Sequence, residues 1–232
     1  MKKFFTLIAT VAMATSMNAQ GTYAVQEGDN VKAGDQITSV ENITLTYMEN
    51  EGTAYAAVKK QTNWADADFN AYVCGKNNGK LVSGAEPTGC VYKFETAKAG
   101  AVTVGVQLNG NKGFHILDAE FTEVTPASYN LPSAKDGDSQ EFTENEKGEN
   151  IIGAKSNGTV TFSVAEGGTY YVLAAGTKMG FFGFKYEAGT STGISSIEAA
   201  SAQHGKIYNM AGQQVSSSFK GLVIKNGKKF VK

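Results

Sequence analysis

No stretch of this chain sustains a 3.6-residue apolar period; from Asn42 onward the apolar residues alternate with polar ones over short runs. In NITLTYM, Ile43, Leu45 and Tyr47 take turns with threonines, the pattern of a half-buried strand. CVYKFET, AVTVGVQL, GFHILD and FTEVT continue the series, with NGNKG at 109–113 as a turn between two of them. After an acidic, polar stretch from Ser133 to Asn150, TVTFSV, TYYVLAA and FFGFKYE resume it. Glu166-Gly167-Gly168 and Gly176-Thr177-Lys178 supply turns, which predicts successive hairpins. With 27 Gly and only 3 Pro to punctuate such strands, the chain reads as all-β. The expected architecture is an antiparallel β-sandwich of jelly-roll type with a small C-terminal β unit.

The aromatic stretch from Thr169 to Tyr186 asks whether its rings form a core or a platform. Alternation predicts that Tyr171, Leu173 and Ala175 share one face with Phe182, Phe184 and Tyr186 of the neighbouring strand, together making core. Tyr170 and Phe181 point the other way and are candidates for outer-face rings. Gly183 leaves room for another segment to approach closely.

The first residues carry an export pattern. Lys2 and Lys3 precede the apolar run Phe4–Ala14, and small residues lead to Ala19 before Gln20. Residues 1–19 therefore read as a signal peptide, the run falling short of the ~20 residues that span a bilayer. The expected location is secreted or on the outer cell surface. Residues 20–187 follow as the β-sandwich module, 188–204 as a small and polar linker, and 205–232 as a separate C-terminal unit.

All 21 basic residues are lysine. Between Gln20 and Thr190 there are 13 Lys against 21 acidic residues, a net charge of −8. An acidic body without the bidentate guanidinium excludes nucleic acid as a natural partner. Cys74 and Cys90, in an exported chain, are expected to form a disulfide, worth about 3 kcal/mol for a loop of that length.

Chemistry is sparse. His204 falls in the linker. His115 alternates with Phe114 and Ile116, so it reads as a strand residue on the less apolar side. Asp118 and Glu120 share a strand face and read as a solvated edge. The chain is therefore expected not to be an enzyme and to need no cofactor. The one cation candidate is calcium, at Asp136, Asp138 and Glu141 in an acidic loop that also holds Glu144 and Glu146, although EF-hand spacing is not met.

NWADADFNAY offers a different chemistry. Trp64, Phe69 and Tyr72 are interleaved with Asp66, Asp68 and Asn70 in a stretch too polar for a core strand. Sugar-binding surfaces stack a ring on the apolar face of a pyranose and hold its hydroxyls with carboxylates and amides. These six residues are the candidate ligand-binding set, with Trp64 foremost.

Two resemblances follow from particular motifs. IYNMAGQQV followed by KGLVIKNGKKFVK resembles the C-terminal sorting tail of type IX (Por) secretion substrates, with Tyr208, Gly212, Val215, Gly221 and Lys228 at matching positions. It implies contact with an export machinery. The body, through Pro87-Thr88-Gly89, Leu108-Asn109 with Lys112, and Gly180-Phe181-Phe182-Gly183-Phe184, is similar to non-catalytic β-sandwich modules that accompany pectate lyases and other secreted surface proteins. It implies a jelly roll in a carbohydrate-linked setting. The expected partner is an extracellular polysaccharide or glycan; the alternative is a surface protein contacted by a structural or adhesive module.

Overall fold

In a computed structural model of the protein, the described residues are 20–49, 53–59 and 65–189, together with the backbone of four strands between 207 and 231. Residues 1–19, expected to be a signal peptide, Trp64, and nearly all of the expected linker 188–204 lie outside them. The described residues contain no helix.

The body is an antiparallel sandwich of two sheets. The first has six strands in the order Gln20–Ala24, Gly180–Ala188, Gly100–Leu108, Ser156–Val164, Ser128–Pro132 and Ser139–Gln140. The second has seven, in the order Thr143–Glu144, Asn150–Ile151, Phe114–Leu117, Thr169–Ala174, Val91–Thr96, Ile43–Met48 and Gln36–Ile37. From Val91 on, the long strands cross from sheet to sheet in the jelly-roll manner.

That crossing corrects the expected hairpins. Strand Thr169–Ala174 pairs with Val91–Thr96 and Phe114–Leu117, while the strands before and after it, Ser156–Val164 and Gly180–Ala188, belong to the opposite sheet. The glycine turns around Gly167 and Gly176 are therefore arches between layers. Both glycines have positive φ (68° and 70°), which lets the chain reverse without adding a ladder pair.

The expected facing of the aromatic strands is corrected too. Tyr170, Val172 and Ala174 point into the core between the sheets, whereas Tyr171 and Leu173 face outward with Val91 and Leu117 under Met48 and Phe121. In the facing strand, Gly105 pairs with Gly183 but Val106 pairs with Phe181, so Phe182 is an extra residue at a bulge. The bulge resets the alternation: Phe181, Phe184 and Tyr186 all enter the core, and Phe182 turns to the outer face. Neither Tyr170 nor Phe181 is an outer-face ring; both are buried. Phe181 stacks on Tyr92 at 4.5 Å, and Phe94 meets Phe184 edge-on at 5.3 Å. Each buried ring contributes about 1.5–3 kcal/mol through area removed from water.

The segment expected as strand FTEVT is mainly a turn. Asp118 Oδ1 accepts from the backbone N–H groups of Glu120 and Thr122, and Phe121 takes φ 60° with its ring against Tyr171. Asp118 and Glu120 thus belong to a side-chain-capped turn, not to one strand face.

Residues 191–232 form a second compact unit. Its four strands are antiparallel in the order Gln214–Val215, Ile207–Asn209, Leu222–Lys225 and Lys228–Val231. Lys225 pairs with Lys228, the register of a hairpin with a two-residue connection.

Candidate functional site

The segment 65–73 lies across the outer face of the six-stranded sheet, anchored by backbone at both ends. Ala65 N donates to Asn157 O at 3.3 Å, while Val73 and Phe181 exchange N–H···O bonds of 2.9 and 2.8 Å. Between these anchors Phe69 is fully buried. The space for it is made by Gly105: a Cβ there would sit 2.6 Å from Phe69 Cδ2.

Lys185 binds the segment from below. Its Nζ lies 2.6 Å from Asp66 Oδ2 and 2.7 Å from Asp68 Oδ2, and 5.6 Å from the centre of the Phe69 ring. Partial burial acts to lower the Lys185 pKa, but the two carboxylates outweigh it and the net shift is upward. Asp66 Oδ1 also accepts from Asp68 N at 2.9 Å, turning the chain between them. Tyr72 is half-buried, its ring 5.1 Å from that of Phe182. Asn70 is exposed.

The structure therefore brings Asp66, Asp68, Phe69, Asn70 and Tyr72 together on one sheet face, but with roles that differ among them. Phe69 is a packing residue, Asp66 and Asp68 hold a lysine, Tyr72 packs half-buried on Phe182, and Asn70 is exposed. Trp64, the foremost candidate, lies outside the described residues; it is bonded to Ala65, which sits on this face.

Sequence reasoning missed what surrounds them. One cross-strand row runs Thr22, Lys185, Thr103, Thr161, Ser128, all half-buried or exposed. The hydroxyls of Thr103 and Thr161 lie 2.8 Å apart. At one end of the same face, Gln107 Nε2 donates to Asn157 Oδ1 at 2.9 Å. Alternation was legible in the strands that carry Lys185, Thr103 and Thr161, but the strands of Thr22 and Ser128 were not read from the sequence, and only sheet order aligns the row.

Two clefts lie elsewhere. One, of about 360 Å³, is lined by Asn77, Asn78, Lys80, Thr88 and Gly89. Of these, Asn77 is held by Glu49, whose carboxylate accepts from the backbone N–H groups of Lys76 and Asn77 and from the Asn77 amide. The other, of about 210 Å³, is lined by Glu123, Val124, Thr125, Glu144, Gly148, Glu149 and Asn150.

Cys74 and Cys90 are free thiols here, which corrects the expected disulfide. Cys90 Sγ is fully buried and takes part in hydrogen bonds with Gly75 N at 3.3 Å, Met179 O at 3.4 Å and Tyr92 Oη at 3.5 Å. The hydrogen bond between the two thiols is the first cause of both their shifts, raising the pKa of Cys74 and lowering that of Cys90.

The expected calcium ligands have other partners. Glu141 Oε2 accepts from the Tyr129 hydroxyl at 2.5 Å, and Asp136 Oδ1 accepts from Asp138 N at 3.3 Å within a turn. The hydrogen bonds to Ser133 and to Asp138 N hold the Asp136 carboxyl below its ordinary value. Among the described residues, no group of three or more His, Cys, Asp or Glu converges to hold a metal ion.

No protein-family model matches the chain, and neither does any curated protein. Among solved structures, the chain is similar to the crystal structure of the catalytic unit of a thermostable GH87 alpha-1,3-glucanase from Streptomyces thermodiastaticus strain HF3-3, at 13% identity and a TM-score of 0.28. The match covers 72% of this chain and 27% of the glucanase unit. At that score the likeness carries no argument.

Proposed function

We propose that the protein is an exported, non-catalytic β-sandwich module that binds an extracellular polysaccharide or glycan on the outer face of its six-stranded sheet. The observation that carries this reading is the Lys185 cluster with Asp66 and Asp68 beside the Thr103–Thr161 hydroxyl pair. Carboxylate, ammonium and hydroxyl groups alternate there on a surface already fixed by the sheet, so little side-chain freedom is lost on binding. Such groups match the alternating donors and acceptors of a sugar ring. Trp64, adjoining Ala65, is the residue we assign to stack on the sugar's apolar face.

In this reading residues 1–19 direct export, the C-terminal unit engages the export machinery, and the protein works outside the cell or at its surface. Affinity electrophoresis through gels containing pectin, xylan, glucan or mannan tests it, with Trp64→Ala alongside.

A second reading, a structural or adhesive module that contacts protein, rests on Leu81 and Val82. They are 43% and 41% exposed on the hairpin formed by Lys80–Val82 and Ala85–Thr88. Self-association or capture by a surface protein, with no competition from sugars, would favour it over the first.

A further inference from the structure

Strand Gln20–Ala24, at the edge of the six-stranded sheet, begins at the residue that follows the expected cut after Ala19. Gln20 pairs with Glu187, Gly21 with Tyr186, and the ladder runs on through Ala24 and Gly183. Gly21 is backed so closely by Val40 that a Cβ there would lie 2.5 Å from Val40 Cγ1. Further along, the Tyr23 ring lies 6.0 Å from that of Phe184, its hydroxyl lies 3.1 Å from that of Tyr47, and Val25 N donates to Phe182 O at 2.9 Å. The sheet edge is therefore built from the chain starting at Gln20 itself.

Cleavage between Ala19 and Gln20 gives Gln20 a free α-amine. An N-terminal glutamine carries an electrophile within its own reach, because a bond from that nitrogen to its side-chain Cδ closes a five-membered lactam. Asparagine would have to close a strained four-membered ring, and glutamate would have to expel water from a carboxyl group. The attacking form is the neutral amine; with an ordinary α-amino pKa of about 8, roughly a tenth of the chains hold it at pH 7. Nothing in the fold covers the side chain. Gln20 is exposed, and its Nε2 donates at 2.9 Å to Oε1 of Glu187, which is exposed as well. A hydrogen bond in that position is readily exchanged for one to water.

We propose that Gln20 is a modification site: in the exported protein it closes to pyroglutamate and caps the edge strand with a neutral lactam. The α-amine attacks Cδ; the N–Cδ bond forms, the Cδ–Nε2 bond breaks, and Nε2 leaves as ammonia with the proton that the amine gives up. No electrons are transferred and no co-reactant is consumed. Ring closure alters only the nitrogen and side chain of the first strand residue, a position where even proline is accommodated in a sheet, so the pairing from Gly21 onward is kept. What disappears is the free amine that aminopeptidases require, at the end of a strand whose first residues are needed for pairing. The site depends on export as proposed above and not on the glycan reading.

The test expresses the full chain in a secreting host and takes the exported protein for intact mass and for tandem mass spectrometry of its N-terminal peptide, beside Gln20→Ala. The expected parent starts at residue 20, is lighter than its sequence by one ammonia, and resists Edman degradation until pyroglutamyl aminopeptidase removes the lactam. Gln20→Ala starts at the same residue with a free amine and is degraded from it at once. A broad-specificity aminopeptidase trims this variant and leaves the parent's first strand intact. A parent that starts at Gln20 and still holds a free amine after days at neutral pH overturns the proposal and leaves export standing. A chain cut at another residue overturns the site in the same way, and an exported chain that starts at Met1 overturns the site and the cleavage together.

Discussion

The Phe69 ring fills the space that Gly105 leaves by having no side chain, with Phe69 Cδ2 only 2.6 Å from where a Cβ would stand. Through this contact a polar loop is seated on a sheet face, carrying Asp66 and Asp68 over Lys185.

Gly105→Ala should therefore destabilise the protein by about 1–3 kcal/mol, since Phe69 and the Phe182 Cβ, 3.0 Å from the added atom, must both move. A lower urea midpoint at unchanged slope is the expected record. Gly183→Ala should cost more. Its φ is 131°, and an added Cβ would meet the Tyr23 carbonyl oxygen, which is backbone and cannot swing away.

A second prediction concerns alkali. Burial raises the pKa of the Tyr47, Tyr55 and Tyr92 phenols, and burial together with Glu86 pushes Tyr171 up to about 12. A phenol whose folded pKa is raised contributes stability that is complete below the unfolded value of about 10 and is lost as pH rises through the folded one. The Lys185 shift has the same sign. Stability should hold up to about pH 10 and then fall steeply. Tyrosinate absorbance should rise together with loss of near-UV dichroism; ordinary titration of every tyrosine in a still-native chain would refute this.

The thiols give a third test. In denaturant without reductant, an alkylating reagent should add two labels to each chain, because Cys74 and Cys90 are not joined. In the native protein Cys90 should resist labelling, being fully buried. A chain that takes no label until reductant is added would show the pair to be oxidised.

How much of this was legible in the sequence depends on the distance between the residues concerned. The alternation around Ile43, Leu45 and Tyr47 locates a strand from its own neighbours, and these three residues are buried as it predicts. It does not name the partner of a strand. The glycine turns near Gly167 and Gly176 suit an arch as well as a hairpin, and only the competition among all strands for pairing decides. The bulge at Phe182 inverts the facing of Phe181 because one extra residue changes the phase of a period-two pattern. At the candidate site, the run from Asp66 to Tyr72 was legible as a polar stretch with rings. Its lysine, 119 residues away in sequence from Asp66, was not. His115 read as outward-facing, and it is. Its burial depends on Glu123 and Glu149, which the turn and hairpin beyond its strand bring to it.

Lys185→Met, which keeps a long apolar stem but removes the ammonium, separates the two roles of that residue. Loss of a partly exposed ion pair should lower stability only modestly. Binding of any retarding polysaccharide should weaken more than stability does, because Asp66 and Asp68 would no longer be held over the sheet face.

The most direct test of the account is affinity electrophoresis of the chain beside Trp64→Ala and a Thr103→Val, Thr161→Val double variant, across the polysaccharide gels. The account predicts retardation by at least one polysaccharide. That retardation should disappear in Trp64→Ala and weaken by roughly fivefold for each lost hydroxyl contact in the double variant. Retardation unchanged in both variants would place the glycan elsewhere, and mobility unaffected by every gel would contradict the glycan reading itself.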